Sequence, residues 1–492
     1  MTLAVLLTLA FAHAQTLQAE IDALLDVEWL RYGYCGVVVR DLQTGETLYW
    51  REAERMLIPA SNMKLLVTAA ALHLLGLEYR FRTRVWAQGR CLPDGTLEGN
   101  LILQGLGDAT LEWRDLQALA QRVRAAGIQR VQGYLLYDDS WLDAERYGFG
   151  WSSGDEPYGY QAQMSALCAE RNAVRLYARP APKVGDPALI RIEPASATDY
   201  VELVNLSRTV SQGTRDTALE ATRTRARNQI RVSGRIAQGA EEVMLGRFSV
   251  ENPSHYAAHL FRKALQEAGV SVAKGTVPNM MPLPPSGAGS PARPTSAAST
   301  GEAPTGAQAM WLLAEHRSPP LQEVVALINK PSDNLLTEIT LKVMGKEHRG
   351  EGTTQAGIQV VRAFLQQAGL ELGAAHMVDG SGLSRINGVS PENLVRLLEF
   401  MHRSPYAEAF RASLPVYGVD GTLRNRLRGT PVQGNGFAKT GSLNRVSSLS
   451  GYLRTKSGRY LAFAVVMNAY NAAGADARAL QDRLIQLLWE RL

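Results

Sequence analysis

Two textures of apolar and polar positions alternate along the chain, and the places where they change mark its parts. Residues 33–52 read as a β-hairpin: Val37-Val38-Val39 form one strand, Gln43-Thr44-Gly45-Glu46 the turn and Thr47-Leu48-Tyr49-Trp50 the return. Beyond Pro59, residues 65–77 are rich in Leu and Ala with no Gly or Pro before Gly76, which predicts a helix beginning near Ser61. From about 79 to 249, short β-like runs such as 96–103 and 131–137 alternate with turns around one helical stretch at 113–126. Helical spacing returns at 253–268 and, after a stretch dominated by Pro, Gly, Ser, Ala and Thr, at 321–328, 334–344, 354–368 and 391–402. Strands at 447–454 and 460–468, joined by Ser457-Gly458, precede a final helix at 475–492.

This order predicts an α+β, multidomain fold with helices packed on an antiparallel sheet and a β-rich region inserted into it. The expected parts are 15–82, the insertion at 83–250 with two nested subdomains, and 251–492. The stretch at about 283–308 cannot bury enough apolar surface to fold and is expected to be a flexible surface loop. A length of 492 residues suits two or three domains, and no internal repeat interrupts the reading.

Residues 1–14 hold an uncharged apolar run, 3–12, that ends in Ala12-His13-Ala14, the pattern of a secretory signal peptide with a small-residue cleavage site. No Lys or Arg precedes the run, which leaves a buried N-terminal helix as the competing reading. The run falls short of the roughly 20 apolar residues that a membrane span needs. An exported protein of the periplasm or cell-wall space, with no integral membrane segment after cleavage, is expected.

The net charge of +5 comes without a Lys/Arg block or basic helix, so nucleic acid is not an expected partner. Cys35, Cys91 and Cys168 have no CxxC spacing and define neither a zinc site nor a disulfide framework. They allow one bridge at most, and burial as small apolar residues is the simpler reading. There is no HExxH and no P-loop, so neither metal nor nucleotide is called for and no cofactor is expected.

Three short patterns carry the chemistry: Ser61-Asn62-Met63-Lys64, Ser332-Asp333-Asn334 and Lys439-Thr440-Gly441. A Ser-x-x-Lys arises about once or twice by chance in such a length, and Ser271 to Lys274 is a second copy. Physics separates the two. On a helix the i, i+3 spacing sets Ser61 and Lys64 on one face, whereas Ser271 and Lys274 point to opposite faces of an extended segment. Ser61 at a helix start has a backbone N–H available for an oxyanion, and a desolvated Lys64 with a lowered pKa suits removal of the hydroxyl proton.

Ser332-Asp333-Asn334 follows Pro331 and belongs on a turn ahead of a helix. There Ser332 suits a proton relay to a leaving amine and Asn334 suits holding a substrate amide. Lys439 with the Thr440 and Ser442 hydroxyls suits a terminal carboxylate, Gly441 allows close backbone approach at a strand edge, and the Ser442 N–H suits an oxyanion hole with that of Ser61. Gly150-Trp151-Ser152-Ser153-Gly154 fits the G-x-S-x-G pattern but lacks the apolar strand before it and the helix after it, so that serine is rejected as a nucleophile.

The three patterns in this order are the signature shared by β-lactamases and penicillin-binding proteins. The chain resembles the class C low-molecular-mass penicillin-binding proteins, the D-alanyl-D-alanine carboxypeptidase and endopeptidase family, over nearly all of its mature length. Further family-like segments are Gly105 to Asp108, Asp138 to Trp141, Asp155-Glu156-Pro157-Tyr158, Asp379 to Arg385 and Gly421-Thr422-Leu423. The resemblance implies a transpeptidase/β-lactamase-like catalytic domain split by a large insertion, with Ser61 acylated by peptidoglycan peptides ending in D-Ala-D-Ala or by β-lactam antibiotics. It also implies that Asp155, Arg385 and Leu443 meet the diamino side chain of the peptide or the drug. A β-lactamase and a noncatalytic wall-binding or penicillin-sensing module are the rival readings; the long insertion speaks against the first and the intact nucleophile set against the second.

Overall fold

The computed structural model describes residues 17–213, 218–280, 283, 309–370 and 376–492. The signal-peptide reading at 1–14, and the loop reading at 283–308 except Leu283, lie outside the described residues. The chain divides into two compact units, the first made of 1–79, 148–151 and 320–492 and the second of 80–147 and 152–319.

In the first unit, strands β1 (Tyr34–Asp41) and β2 (Thr47–Arg51) form the expected hairpin. The helix α1 (Met63–Leu74) follows, then α2 (Leu321–Asn329), α3 (Asn334–Arg349), α4 (Thr354–Gln367), α5 (Pro391–Arg403) and α6 (Ala407–Ser413). Strands β3 (Gly436–Leu443), β4 (Val446–Arg454) and β5 (Tyr460–Asn468) lead to α7 (Gly474–Arg491). The sheet runs β3-β4-β5-β1-β2 and is antiparallel throughout, with β3 at one edge.

β1 joins the two ends of the chain, pairing Val37 with Val465 and Val39 with Phe463. Its three valines are fully buried because both faces of this central strand are covered. Val37 and Val39 pack with Leu480, Leu484 and Leu488 of α7, and Leu17, Ile21 and Leu25 join the same core. On the other face α5 lies against β1 and β5, and the Tyr452 hydroxyl ties β4 to it by donating to the Leu398 carbonyl at 2.7 Å. This sandwich fixes the edge strand β3 and the start of α1, which carry the site.

The second unit has its own core, in which the helices Trp113–Ala125 and Pro253–Glu267 pack on a mixed sheet built around Arg82–Cys91 and Thr96–Leu106. Two three-stranded sheets lie within its 173–249 stretch. The sequence reading ends the insertion at 250, whereas the compact unit runs to Pro319. The difference arises because the helix Pro253–Glu267 covers this unit's sheet and Met310–Arg317 pairs antiparallel with Arg82–Cys91. These are contacts distant in sequence that no local pattern announces.

Candidate active site

Ser61 sits in a single 3-10 turn, Ala60–Asn62, that runs directly into α1. Lys64 therefore comes round beneath it one turn later, and its Nζ donates to Ser61 Oγ at 3.0 Å. Two further acceptors hold the amine, Asn334 Oδ1 and the Ser381 carbonyl, each at 2.6 Å. Lys64 is fully buried, and that burial pushes its pKa down to about 8 against the opposing charges of Glu338, Asp379 and Asp333. An amine so placed is neutral for a useful fraction of the time near neutral pH and can accept the hydroxyl proton.

Asn334 is the first residue of α3, and Asp333 caps that helix by accepting from Leu336 N at 2.9 Å. The middle residue of the Ser-Asp-Asn pattern thus fixes the frame that aims its neighbours. Ser332, with φ +64°, turns its hydroxyl to Lys439 Nζ at 2.9 Å. Lys439 is fully buried as well and also donates to the Thr440 carbonyl at 2.9 Å. Burial, and then the charge of Lys64, hold its pKa well below the ordinary lysine value.

Lys439, Thr440, Gly441, Ser442 and Leu443 lie on strand β3 itself, at the sheet's edge. Ala438 N donates to the Pro415 carbonyl and Tyr417 N donates to the Gly436 carbonyl, so the even-numbered positions of β3 turn their backbone groups away from β4. By the alternation of an antiparallel ladder, Thr440 and Ser442 present N–H and C=O to the open edge, where an extended peptide can pair. Gly441 faces inward. A β-carbon there would meet Ser448 Oγ at 2.2 Å, the Pro59 carbonyl oxygen at 2.8 Å and Ser61 N at 2.9 Å, so the close approach it allows is that of the Ser61 turn. Ser448 Oγ locks the same turn by donating to the Pro59 carbonyl at 2.6 Å.

Arg385 is exposed and donates to the Asn444 carbonyl at the end of β3, next to half-buried Leu443. Asp155 belongs to the second unit, where it accepts from the Tyr160 hydroxyl at 2.9 Å. The second Ser-x-x-Lys also lies in that unit, with Ser271 on a strand and Lys274 Nζ over the Tyr134 ring at 5.0 Å.

Three further side chains complete the arrangement: Thr422 and Asp379, which belong to the family-like segments, and Glu338, which no motif singles out. Thr422 shares a 2.7 Å hydrogen bond with Thr440 Oγ1. Buried Asp379 accepts from Gly382 N at 2.8 Å, Ser384 N at 2.7 Å, Asn387 Nδ2 at 2.7 Å and Trp151 Nε1 at 2.8 Å. Buried Glu338 accepts from Gly380 N and Ser381 N. One signal was available in the sequence: Glu338 follows Asn334 by four residues, one helical turn along the same face.

A family profile described as "D-Ala-D-Ala carboxypeptidase 3 (S13) family" matches residues 17–287 and 293–490. A D-alanyl-D-alanine carboxypeptidase of Actinomadura sp. (strain R39) is 37% identical over 490 residues, 97% of this chain and 85% of the relative. The D-alanyl-D-alanine carboxypeptidase DacB of Haemophilus influenzae is 25% identical over 468 residues, 92% of this chain and 88% of that one. The crystal structure of penicillin binding protein 4 (dacB) from the same organism superimposes with a TM-score of 0.77 at 24% identity, covering 96% of this chain and 98% of the other, which establishes the shared fold.

Proposed function

The chain belongs to the D-Ala-D-Ala carboxypeptidase 3 (S13) family, and we propose that it is a serine D-alanyl-D-alanine carboxypeptidase acting through an acyl-enzyme on Ser61. The observation that carries this reading is the fully buried Lys64 amine 3.0 Å from Ser61 Oγ, with its pKa drawn down towards the working range. Neutral Lys64 takes the Ser61 proton as Oγ attacks the carbonyl of the penultimate D-alanine. The N–H groups of Ser61 and Ser442 stabilise the oxyanion, and Thr440 and Lys439 receive the terminal carboxylate. The proton passes to the leaving amine through Ser332, free D-alanine departs, and water cleaves the Ser61 ester with Lys64 again as base.

The same attack on a β-lactam amide opens the ring and leaves the drug as an ester on Ser61. Asn334 keeps Lys64 aimed at Ser61 throughout. In the finer reading Arg385 and Leu443 border the substrate's diamino side chain at the end of β3, the resemblance gives Asp155 the same recognition role, and cleavage of cross-linked peptides accompanies carboxypeptidase activity. Export to the periplasm or cell-wall space fits the apolar run at 3–12, and no helix among the described residues is long and apolar enough to cross a membrane.

The test is release of D-alanine from a synthetic peptide ending in D-Ala-D-Ala, by the wild-type chain and by Ser61→Ala. A fall of about a thousandfold or more in the variant is expected. Undiminished release would remove Ser61 from the chemistry.

A further inference from the structure

Among the described residues three groups hold the Lys64 amine: Ser61 Oγ, Asn334 Oδ1 and the Ser381 carbonyl. The last is a backbone atom in a loop, and a loop carbonyl aims an amine only as well as the loop itself is fixed. Two buried carboxylates grip the loop, one on either side of that carbonyl. Glu338 accepts from Gly380 N at 3.1 and 3.0 Å through its two oxygens and from Ser381 N at 2.7 Å. Asp379 accepts from Gly382 N, the other end of the peptide unit whose oxygen meets Lys64.

Glu338 is fully buried on α3, one turn beyond Asn334. One rigid helix therefore supplies two of the three determinants of the amine's position, Asn334 directly and Ser381 through Glu338. The packing leaves no slack: a β-carbon on Gly380 would come within 3.2 Å of Val67 of α1 and of Leu341 of α3, and one on Gly382 within 1.8 Å of the Ala60 carbonyl oxygen. A carboxylate fully removed from water is costly unless it is well hydrogen-bonded, so a purely structural clamp at this place would more cheaply be an amide.

We propose that Glu338 is a positioning residue of the active site, whose buried carboxylate fixes the Gly380–Ser381 backbone so that the Ser381 carbonyl holds the Lys64 amine against Ser61. The inference rests on the reading of Ser61 as nucleophile and Lys64 as its base. Besides geometry, the carboxylate sets charge: Glu338, Asp379 and Asp333 raise the proton affinity of Lys64 against the effect of burial, and the neighbouring amine is Lys439, whose own pKa burial and Lys64 lower. Burial and the Asp379 charge raise the pKa of Glu338 to about 7, and the hydrogen bonds it accepts from Gly380 N and Ser381 N favour its charged form. Removing that charge lowers the pKa of Lys64 and extends the neutral amine to lower pH.

The experiment measures the rate constant for acylation by benzylpenicillin from pH 5 to 10 for the wild-type chain, Ser61→Ala, Glu338→Ala and Glu338→Gln, with a thermal melt of each. Glu338→Ala, which loses the acceptors for both N–H groups, is expected to acylate about a hundredfold more slowly. Glu338→Gln keeps an acceptor and is expected to recover at least about tenfold of that loss, with the acid limb of its profile moved to lower pH by about half a unit or more. Should Glu338→Ala fail to fold, the displaced limb of Glu338→Gln decides alone. An unmoved limb in Glu338→Gln, or a folded Glu338→Ala that acylates at the wild-type rate, would overturn the proposal. Acylation of Ser61→Ala would instead overturn the assignment of Ser61, whatever the Glu338 variants do.

Discussion

A β-carbon built on Gly441 would stand 2.9 Å from the backbone nitrogen of Ser61, so the edge strand and the Ser61 turn meet backbone to backbone. The two groups proposed to bind the oxyanion, Ser61 N–H and Ser442 N–H, take their spacing from this contact. Gly441→Ala is expected to push the 59–61 turn away, destabilising the fold by about 1–3 kcal/mol, as overpacking does. Acylation by a fluorescent penicillin should slow by about a hundredfold. Wild-type acylation in a variant with an altered melting temperature would show that the contact does not set the geometry.

The acid limb of the wild-type rate should report Lys64. The active form is the neutral amine, which is present above the pKa; burial brings that value from 10.5 to about 8. Acylation should therefore rise with pH through about 8 and level off above it. Lys64→Arg, which keeps the charge but cannot give up its proton, should lose about 10²–10⁴-fold in rate at every pH. A wild-type profile that stays flat from pH 6 to 9 would remove Lys64 as the base.

Much of this site was legible in the chain because it is local. A Ser-x-x-Lys entering a helix dictates which residues share a face, and the hairpin, helices α2 to α5 and the last two strands follow from apolar spacing alone. Burial of Val37, Val38 and Val39 on both sides follows from their continuous run. What could not be read is tertiary. Lys439-Thr440-Gly441 offers no strand pattern, since its residues answer to the Ser61 turn, to Ser332 and to Thr422. Glu338 looks like an ordinary surface acid, and Asp379 is marked only by its segment, until the fold buries them against backbone N–H groups. The helix Pro253–Glu267 and the strand Met310–Arg317 return to the second unit through contacts with elements far earlier in the chain, among them the pairing of Met310–Arg317 with Arg82–Cys91.

Thr440 should govern recognition of the substrate's free carboxylate. Its Oγ1 is placed by a 2.7 Å hydrogen bond with Thr422. Thr440→Val removes a hydrogen bond to a charged group, worth about 1.5–3 kcal/mol. The preference for a peptide ending in a free acid over the same peptide ending in an amide should therefore fall by about tenfold or more. An unchanged ratio of kcat/KM for the two peptides would place carboxylate recognition elsewhere.

The cysteines should behave as packing residues. Cys35 and Cys168 are buried thiols whose pKa values burial raises to about 12, and all three cysteines are free. In the native protein a thiol reagent at pH 8 should label Cys91 alone within minutes, and all three after unfolding. Rapid native labelling of Cys168, read by peptide mapping, would contradict the buried placement.

The most direct measurement follows the intact mass of the wild-type chain and of Ser61→Ala during incubation with benzylpenicillin, with any adduct mapped to its peptide. A long-lived adduct of one drug molecule on Ser61, and none on the variant, is expected. An adduct that forms equally on Ser61→Ala, or no adduct and no drug turnover by the wild-type chain, would contradict the proposed function.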